Sequence, residues 1–335
     1  MTRTIRLTLV VVFVTLGLAS AACTSVPPDG STTTTSTTAP TNWDFTMQVA
    51  VQQNLIAPYG GQAALEAKVV QQLAAIGARF AALGPIHFTV AKFVYFPGSA
   101  NDQVGLAHTG ADFQIIYTED PGYSTGWYGD VQTLMTAWGP AWGGSFGATA
   151  TDAITHELGH ARGAIDMYAM EVNPAQNPVN GQGYAPETSI MSYPYGVTTW
   201  DGCSAAVITK SANQIYQNAP VFNSLLPSTY SLQVTQGGVN VTSAAIAVYA
   251  VRWFSGAVES TPIQTGVTNA SGVFQLTGNP FAGTVGTNWD TSMANLLITA
   301  TKGGKTVSTW LPISEACKQG AAHPGTAFAA TISLG

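Results

Sequence analysis

The sequence predicts an α+β domain over residues 43–226 followed by an all-β sandwich over residues 227–335. In the first part, a stretch with helical periodicity precedes segments rich in β-branched and aromatic residues. After Pro227, short β-prone segments are separated by Gly, Asn, Ser and Pro turns, which is typical of a β-sandwich of about 100 residues. A chain of 335 residues is long enough for about two such domains.

The composition excludes several classes of protein. Hydrophobic residues make up 46% of the chain and charged residues 8%, whereas an average globular domain is about 25% charged. These values argue against a charged disordered chain, a coiled coil and a nucleic-acid-binding protein with a basic face. Glycine is abundant, with 35 residues, but it follows no three-residue period, so a collagen-like chain is also excluded.

Local patterns predict the elements of the first domain in order. Apolar residues recur at helical spacing over 62–83, at Leu65, Val69, Leu73, Ile76 and Phe80, which predicts a helix. β-branched and aromatic residues predict strands over 86–96 and 113–118. A Gly-rich stretch over 122–147 contains four large aromatic residues, Trp127, Tyr128, Trp138 and Trp142. These rings either form local core or line a cleft. Helices are then predicted over 151–162 and within 204–217.

The second domain carries a turn with the sequence NASG at 269–272, directly before Val273 and Phe274. This turn resembles those of immunoglobulin-like or prealbumin-like accessory domains on secreted enzymes, which implies an immunoglobulin-like or prealbumin-like sandwich.

The first 22 residues have the pattern of a secretory signal peptide. Arg3 and Arg6 precede an apolar run over 7–18, and small residues follow at 19–22. The run is shorter than the roughly 18 residues that span a bilayer, so export is favoured over the alternative of a membrane anchor. Removing residues 1–22 leaves nine of the 11 basic residues against 17 acidic ones, a net charge of −8.

Cys23 directly follows this segment and resembles the acylated cysteine of bacterial lipoproteins. The resemblance is imperfect, because Ser20 stands where such signals usually carry leucine. An unpaired thiol is the alternative. Residues 23–42 are rich in Ser, Thr and Pro, which predicts a flexible tether. The sequence therefore predicts an extracellular protein, held at the bacterial cell surface through lipid on Cys23.

Two histidines four residues apart flank a glutamate, as His156, Glu157 and His160. Four residues are about one helical turn, so both imidazoles are predicted to lie on the same face of a helix. Such a pair can hold zinc and leave a position open for catalysis, with Glu157 beside a metal-bound water. The alternative is a pair of helix histidines that make only structural hydrogen bonds.

The residues that follow extend this motif. Gly163 can end the helix in a left-handed turn, and Asp166 lies three residues further on. The run resembles the HExxHxxGxxH/D motif of metzincin zinc peptidases, with the aspartate of snapalysin-like enzymes as third ligand. Tyr168 also fits the families that use aspartate. His108 and Glu171 are the alternatives for the third ligand.

The segment 189–193, with the sequence SIMSY, resembles the Met-turn of the same clan. In metzincins this methionine, here Met191, packs under the zinc ligands. In astacin-like and serralysin-like members the tyrosine, here Tyr193, approaches the metal. The resemblance covers roughly residues 85–217 and implies an α+β metzincin-like catalytic domain. It also implies a zinc-dependent endopeptidase that acts on proteins or peptides, with Glu157 as general base and Tyr193 at the oxyanion. A cell-surface binding lipoprotein with an inactive metzincin-like scaffold is the alternative.

The remaining polar residues give weaker predictions. Two cysteines remain once Cys23 is set aside, Cys203 and Cys317, and an exported chain is predicted to join them in a disulfide. Residues 102–201 contain eleven acids and one base, Arg162. This excess predicts a solvated acidic face, and calcium bound to carboxylates is the alternative. The other histidines, His87, His108 and His323, have no partner at ligand spacing.

Overall fold

The computed structural model of the protein describes residues 43–104, 106, 110–119, 125–127, 133–136, 144–193, 195–211, 219–282 and 292–335. The predicted signal peptide, Cys23 and the Ser/Thr/Pro tether lie outside the described residues, as do His108, Tyr128, Trp138 and Trp142. No helix within the described ranges is long and apolar enough to cross a membrane.

A five-stranded sheet forms the first half of the described chain. Its strands are β1 (Trp43–Gln52), β2 (Ile86–Phe96), β3 (Phe113–Tyr117), β4 (Gly126–Trp127) and β5 (Thr133–Thr136). Their order across the sheet is β2-β1-β3-β5-β4. All neighbouring strands run parallel except β4, which pairs antiparallel with β5 and forms one edge. The central strands β1 and β3 are almost wholly buried, as expected for parallel strands covered on both faces.

Helices α1 (Gln62–Phe80) and α2 (Ala148–Ala161) pack with this sheet. Each residue of the helical stripe predicted from the sequence is buried in α1: Leu65, Val69, Leu73, Ile76 and Phe80. The ring of Phe80 contacts both Phe88 of β2 and Trp200. Helix α2 carries the HExxH motif and begins three residues before the predicted start at 151. Two further helices follow, α3 (Gly202–Ser211) and α4 (Ala219–Leu225).

Two four-stranded sheets make up the second half. One contains β6 (Tyr230–Gln236), β7 (Val239–Asn240), β10 (Val273–Gln275) and β13 (Phe328–Ser333). The other has the order β12-β11-β8-β9, from β12 (Lys305–Pro312), β11 (Met293–Lys302), β8 (Ala245–Arg252) and β9 (Gln264–Val267). The chain is thus a mixed α/β structure with several sheets. Helix α4 lies beyond the helix predicted within 204–217 and was not predicted. Helix α5 (Ile313–Ala322) was not predicted either, and it makes the second half less purely β than expected.

The two halves share buried contacts, and the described residues from 43 to 335 belong to one compact unit. One hydrophobic core runs from Trp43 of β1 to Ile332 of β13. Cys203 of α3 and Cys317 of α5, the pair predicted from the sequence, form a disulfide with their Cα atoms 5.4 Å apart. The predicted boundary between residues 226 and 227 stays a prediction.

Candidate metal centre

Helix α2 places both motif histidines on one side. Their rings lie 4.8 Å apart, edge to face, and both side chains are largely buried. Ile154 and Leu158, which alternate with the histidines along the helix, are fully buried in the hydrophobic core. The apolar stripe therefore holds α2 against the body, and the spacing of four residues directs His156 and His160 toward the same point.

The chain reverses directly after α2 and brings Asp166 back to the histidines. Gly163 has φ +94°, a left-handed conformation that glycine adopts without a Cβ penalty. The amide of Gly163 donates to the carbonyl of His160 (2.8 Å), and the amide of Ala164 donates to that of Gly159 (3.1 Å). These bonds satisfy the last carbonyls of the helix, as in a Schellman-type end. The turn leads the chain back under its own helix.

Asp166 meets both histidines through one carboxylate oxygen. Its Oδ1 lies 3.1 Å from Nε2 of His156 and 3.0 Å from Nε2 of His160. These three residues form a group whose ligand atoms all lie within 4.8 Å of one another, and no other such group of His, Cys, Asp and Glu occurs among the described residues. Of the two described candidates for a third ligand, Asp166 and Glu171, the structure brings Asp166 to the pair, and His108 lies outside the described residues.

Backbone carbonyls fix the orientation of both rings. Nδ1 of His156 lies 2.8 Å from the carbonyl oxygen of Ile190, and Nδ1 of His160 lies 2.9 Å from that of Ala164. A carbonyl can only accept, so each Nδ1 carries a proton and each Nε2 is directed at Asp166, with a lone pair facing the carboxylate wherever that nitrogen holds no proton. Lone pairs facing a carboxylate repel one another. A cation, either a proton or a metal ion, is needed to hold these atoms together.

The charges within the group shift the pKa values of His160, Asp166 and the neighbouring Glu157. Burial lowers the pKa of His160, but the Asp166 carboxylate outweighs burial and raises it to about 9. Burial alone would raise the pKa of Asp166, and the two histidines instead hold it well below its usual range. Glu157, largely buried beside the group, has a pKa raised mainly by burial and lowered in part by the two histidines.

Met191 lies directly beneath helix α2. It is fully buried, and a Cβ placed on Gly159 would come within 2.6 Å of its Sδ atom. The Met191 carbonyl accepts a hydrogen bond from the amide of Met167 (2.7 Å), the residue after Asp166. The Met191 amide in turn donates to Ser189 Oγ, which donates to Asp201. The turn is therefore tied both to the helix and to the Asp166 segment.

Two tyrosines flank the group in different ways. Tyr168 stacks on His156 with ring centroids 6.1 Å apart, and burial together with the nearby Asp166 charge raises its pKa. Tyr193, the predicted oxyanion donor, is 55% exposed and donates its hydroxyl hydrogen bond to Glu171. Glu171, weighed as a ligand from the sequence, is thus occupied with Tyr193. The sequence marked Tyr168 only by its place two residues after Asp166.

Asp152, which the sequence did not single out, braces the site from one turn before His156. It pairs with Arg79 of α1, and its Oδ2 accepts a hydrogen bond from the amide of Gly196 (2.7 Å). Other acids of the 102–201 stretch also have internal partners.

Asp112 accepts hydrogen bonds from Thr46, and Asp201 caps α3 at Ser204. Calcium bound to carboxylates stays a prediction for this stretch. Trp127, described at the sheet edge, is half-buried.

Comparisons with known proteins add little to this geometry. No protein-family model and no curated protein matches the sequence. One solved structure, described as "Structure of a chaperone-substrate complex", is similar at a TM-score of 0.34 and 12% sequence identity, over 51% of this chain and 34% of that chain. The aligned part thus spans about a third of the length of that protein. A likeness at this level carries no argument about fold or function.

Proposed function

We propose that the protein is an exported, zinc-dependent endopeptidase of the metzincin type, anchored at the cell surface through Cys23. The observation that carries the proposal is the convergence of His156 Nε2 and His160 Nε2 on one oxygen of Asp166, at 3.1 and 3.0 Å. The helix, the glycine turn and the Met191 turn that produce this convergence occur together, and this combination favours peptide hydrolysis over other metal-dependent hydrolyses.

The donor set fits zinc. Two neutral imidazole nitrogens and a carboxylate oxygen are ordinary zinc ligands, and three protein ligands leave a fourth position for water or substrate. The hydrogen bonds from the two Nδ1 atoms to backbone carbonyls are the usual outer support of zinc-bound histidines. A bound zinc ion would lower the pKa of a water molecule and polarise a peptide carbonyl.

Glu157 is the general base of the proposed reaction. It follows His156 on α2 and lies close enough to both histidines and Asp166 for their charges to affect its pKa. A carboxylate of raised pKa in a poorly solvated site takes a proton from water more readily and can return it to the leaving amine.

Tyr193 and Tyr168 are the two phenols available to the oxyanion that forms during hydrolysis. Tyr193 is the candidate from the sequence, and it must exchange its bond to Glu171 for one to the oxyanion. Tyr168 already lies next to the ligand group, where its ring stacks on His156 close to the charge of Asp166. We therefore assign Tyr168 to positioning the ligand group and retain Tyr193 as the proposed oxyanion donor.

Two variants of the full chain separate the roles in this proposal. Glu157→Gln should keep one equivalent of zinc and lose about 10²-fold or more in kcat, because it removes a base and no ligand. Asp166→Ala should lose both zinc and hydrolysis, because it removes a ligand. The measurements are metal content after dialysis and turnover of casein and of a fluorescent peptide library, with and without a zinc chelator.

Three outcomes would contradict the proposal. Zinc-loaded protein that cleaves neither casein nor any library peptide would favour the binding-protein alternative. Full zinc content and activity in Asp166→Ala would contradict the assignment of Asp166 as the third ligand. Hydrolysis that persists in Glu157→Gln would contradict the assignment of Glu157 as the general base. For the anchor, mass spectrometry of the native N-terminus should show lipid on Cys23, and an unmodified, cleaved chain in the culture medium would contradict that part.

A further inference from the structure

A concave surface lies next to the metal-ligand group and is separated from it by the ring of Tyr168. Its volume is about 510 Å³, and its lining includes Tyr168, Glu171 and Pro174 from the segment after Asp166, with Phe254 and Gly256 from the second half of the chain. Tyr168 belongs to both sites, since its ring stacks on His156 on one side and lies 6.2 Å from the ring of Phe254 on the other. We call this surface the Tyr168–Phe254 pocket.

Phe254 is held in this pocket at a cost. Its φ is +57°, a left-handed conformation that is unusual for a bulky residue and that costs of order 1 kcal/mol. The ring is 57% exposed, so burial does not repay the strain. Backbone hydrogen bonds fix the turn against the Asp166 segment: the Phe254 amide donates to Ala169 O, and the Asn173 amide donates to Gly256 O, both at 3.2 Å.

The pocket combines aromatic faces with one negative charge. Tyr168 and Phe254 present rings that are 38% and 57% exposed. Glu171 supplies a carboxylate, which keeps its negative charge while its Oε2 accepts the hydrogen bond from the neutral Tyr193 hydroxyl. Among the described residues that line the pocket there is no lysine, arginine or histidine. Aromatic faces beside a carboxylate favour a cation on an apolar stem, because the stem packs on the rings and the charge pairs with the acid.

We propose that the Tyr168–Phe254 pocket is a substrate subsite that takes a lysine or arginine side chain of the peptide, and that Phe254 and Glu171 determine this specificity. The second half of the chain thereby completes the substrate cleft rather than serving as a separate module. The proposal rests on the proposed function, and it names the class of residue that the peptidase prefers beside the scissile bond. The net charge of −8 expected for the mature chain favours the same class of substrate.

Binding to the Glu157→Gln protein tests the pocket without requiring hydrolysis. The probes are neutral octapeptides that carry one lysine at each successive position, paired with peptides that carry norleucine, which has the same length but no charge. At one position the lysine peptide should bind about tenfold more tightly than its norleucine partner. Adding Glu171→Gln should bring that ratio close to one. Phe254→Gly, which relieves the strained backbone, should lower it about threefold.

Glu187→Gln is the matched control, because it removes one exposed negative charge that lies outside the pocket and 3.8 Å from Lys318. It should leave the lysine-to-norleucine ratio unchanged. A ratio near one at every position of the parent protein overturns the proposal, and so does an equal loss in Glu187→Gln. A clear ratio in binding with no hydrolysis by the wild-type protein would contradict the peptidase and support the pocket. Hydrolysis by the wild-type protein without a preference for lysine or arginine would support the peptidase and contradict the proposed role of the pocket.

Discussion

Asn295, on strand β11 of the second half, donates a hydrogen bond from Nδ2 to the backbone carbonyl of Met170, four residues beyond Asp166 (2.5 Å). Both groups are buried. This bond comes from the second half of the chain and fixes the segment that carries Asp166, the candidate third ligand. Removing a buried partner leaves the other group unsatisfied, at a cost of about 1–3 kcal/mol.

We expect Asn295→Ala to lower the free energy of unfolding by about that amount and to weaken zinc binding, because the Asp166 segment loses its anchor. Denaturant unfolding and a zinc titration measure the two effects. Ser308→Ala is the control, since Ser308 also bonds across the halves, to Asn180 (2.8 Å), but at an exposed position. Equal effects of the two variants would show that the buried bond has no special part in holding the segment.

Gly159 gives a second prediction, because a side chain there would enter the space of Met191. A Cβ would lie 2.6 Å from Met191 Sδ and 3.0 Å from Trp200. Gly159→Ala should therefore destabilise the protein by about 1–3 kcal/mol through overpacking and weaken zinc binding by shifting α2. Thermal unfolding and metal content are the measurements.

Gly77 supplies the matched control in helix α1. A Cβ at Gly77 would meet only the carbonyl oxygen of Ile86, at an ordinary 3.5 Å. Gly77→Ala should stabilise the protein by about 0.5–1 kcal/mol, since alanine loses less backbone entropy in a helix. The two glycine-to-alanine changes should thus have opposite signs, and a stabilised Gly159→Ala would mean that Met191 does not pack beneath the helix.

The sequence predicted those parts of the fold that depend on local pattern. Strand β2 and helix α1 follow from residues within each segment, and His156 and His160 follow from helical spacing. Helix α5 was missed because its residues, ISEACKQGAA, directly continue a strand and include a glycine. Gly320 is required there because a Cβ would collide with the Leu225 backbone, a long-range contact that no local pattern reveals.

The same division applies to the candidate site. Asp166 was predicted from its spacing after Gly163, because the turn itself determines where the chain returns. Asp152, Phe254 and the bond between Tyr193 and Glu171 join residues far apart in the chain. Their roles depend on how loops and halves pack together, so one sequence gave no signal that could separate them from ordinary surface residues.

The disulfide between Cys203 and Cys317 gives a third prediction. It closes a separation of 114 residues and links α3, which follows the Met191 turn, to α5. In the chain-entropy model such a loop stabilises by about 4–5 kcal/mol, less any strain. Cys317→Ser should lower the unfolding midpoint strongly, and thiol titration of the denatured, unreduced protein should find neither Cys203 nor Cys317 free. Two free thiols in the native protein would contradict the pairing.

The last prediction concerns protons and zinc at His160. The Asp166 carboxylate raises the pKa of this histidine to about 9 against the effect of burial, so below pH 9 the ring carries a proton that zinc must displace. The sign follows directly: apparent zinc affinity should rise about tenfold per pH unit between pH 7 and 8.5, and level off near pH 9. Competition with a chelator of known affinity, repeated across this range, measures the slope.

Asp166→Asn is the informative variant, because it removes the charge that stabilises the proton. Its zinc affinity should be lower at every pH, yet its slope should flatten at a lower pH than that of the wild type. Zinc affinity that does not change between pH 7 and 8.5 would show that His160 holds no proton there, and that the convergence on Asp166 is maintained in another way.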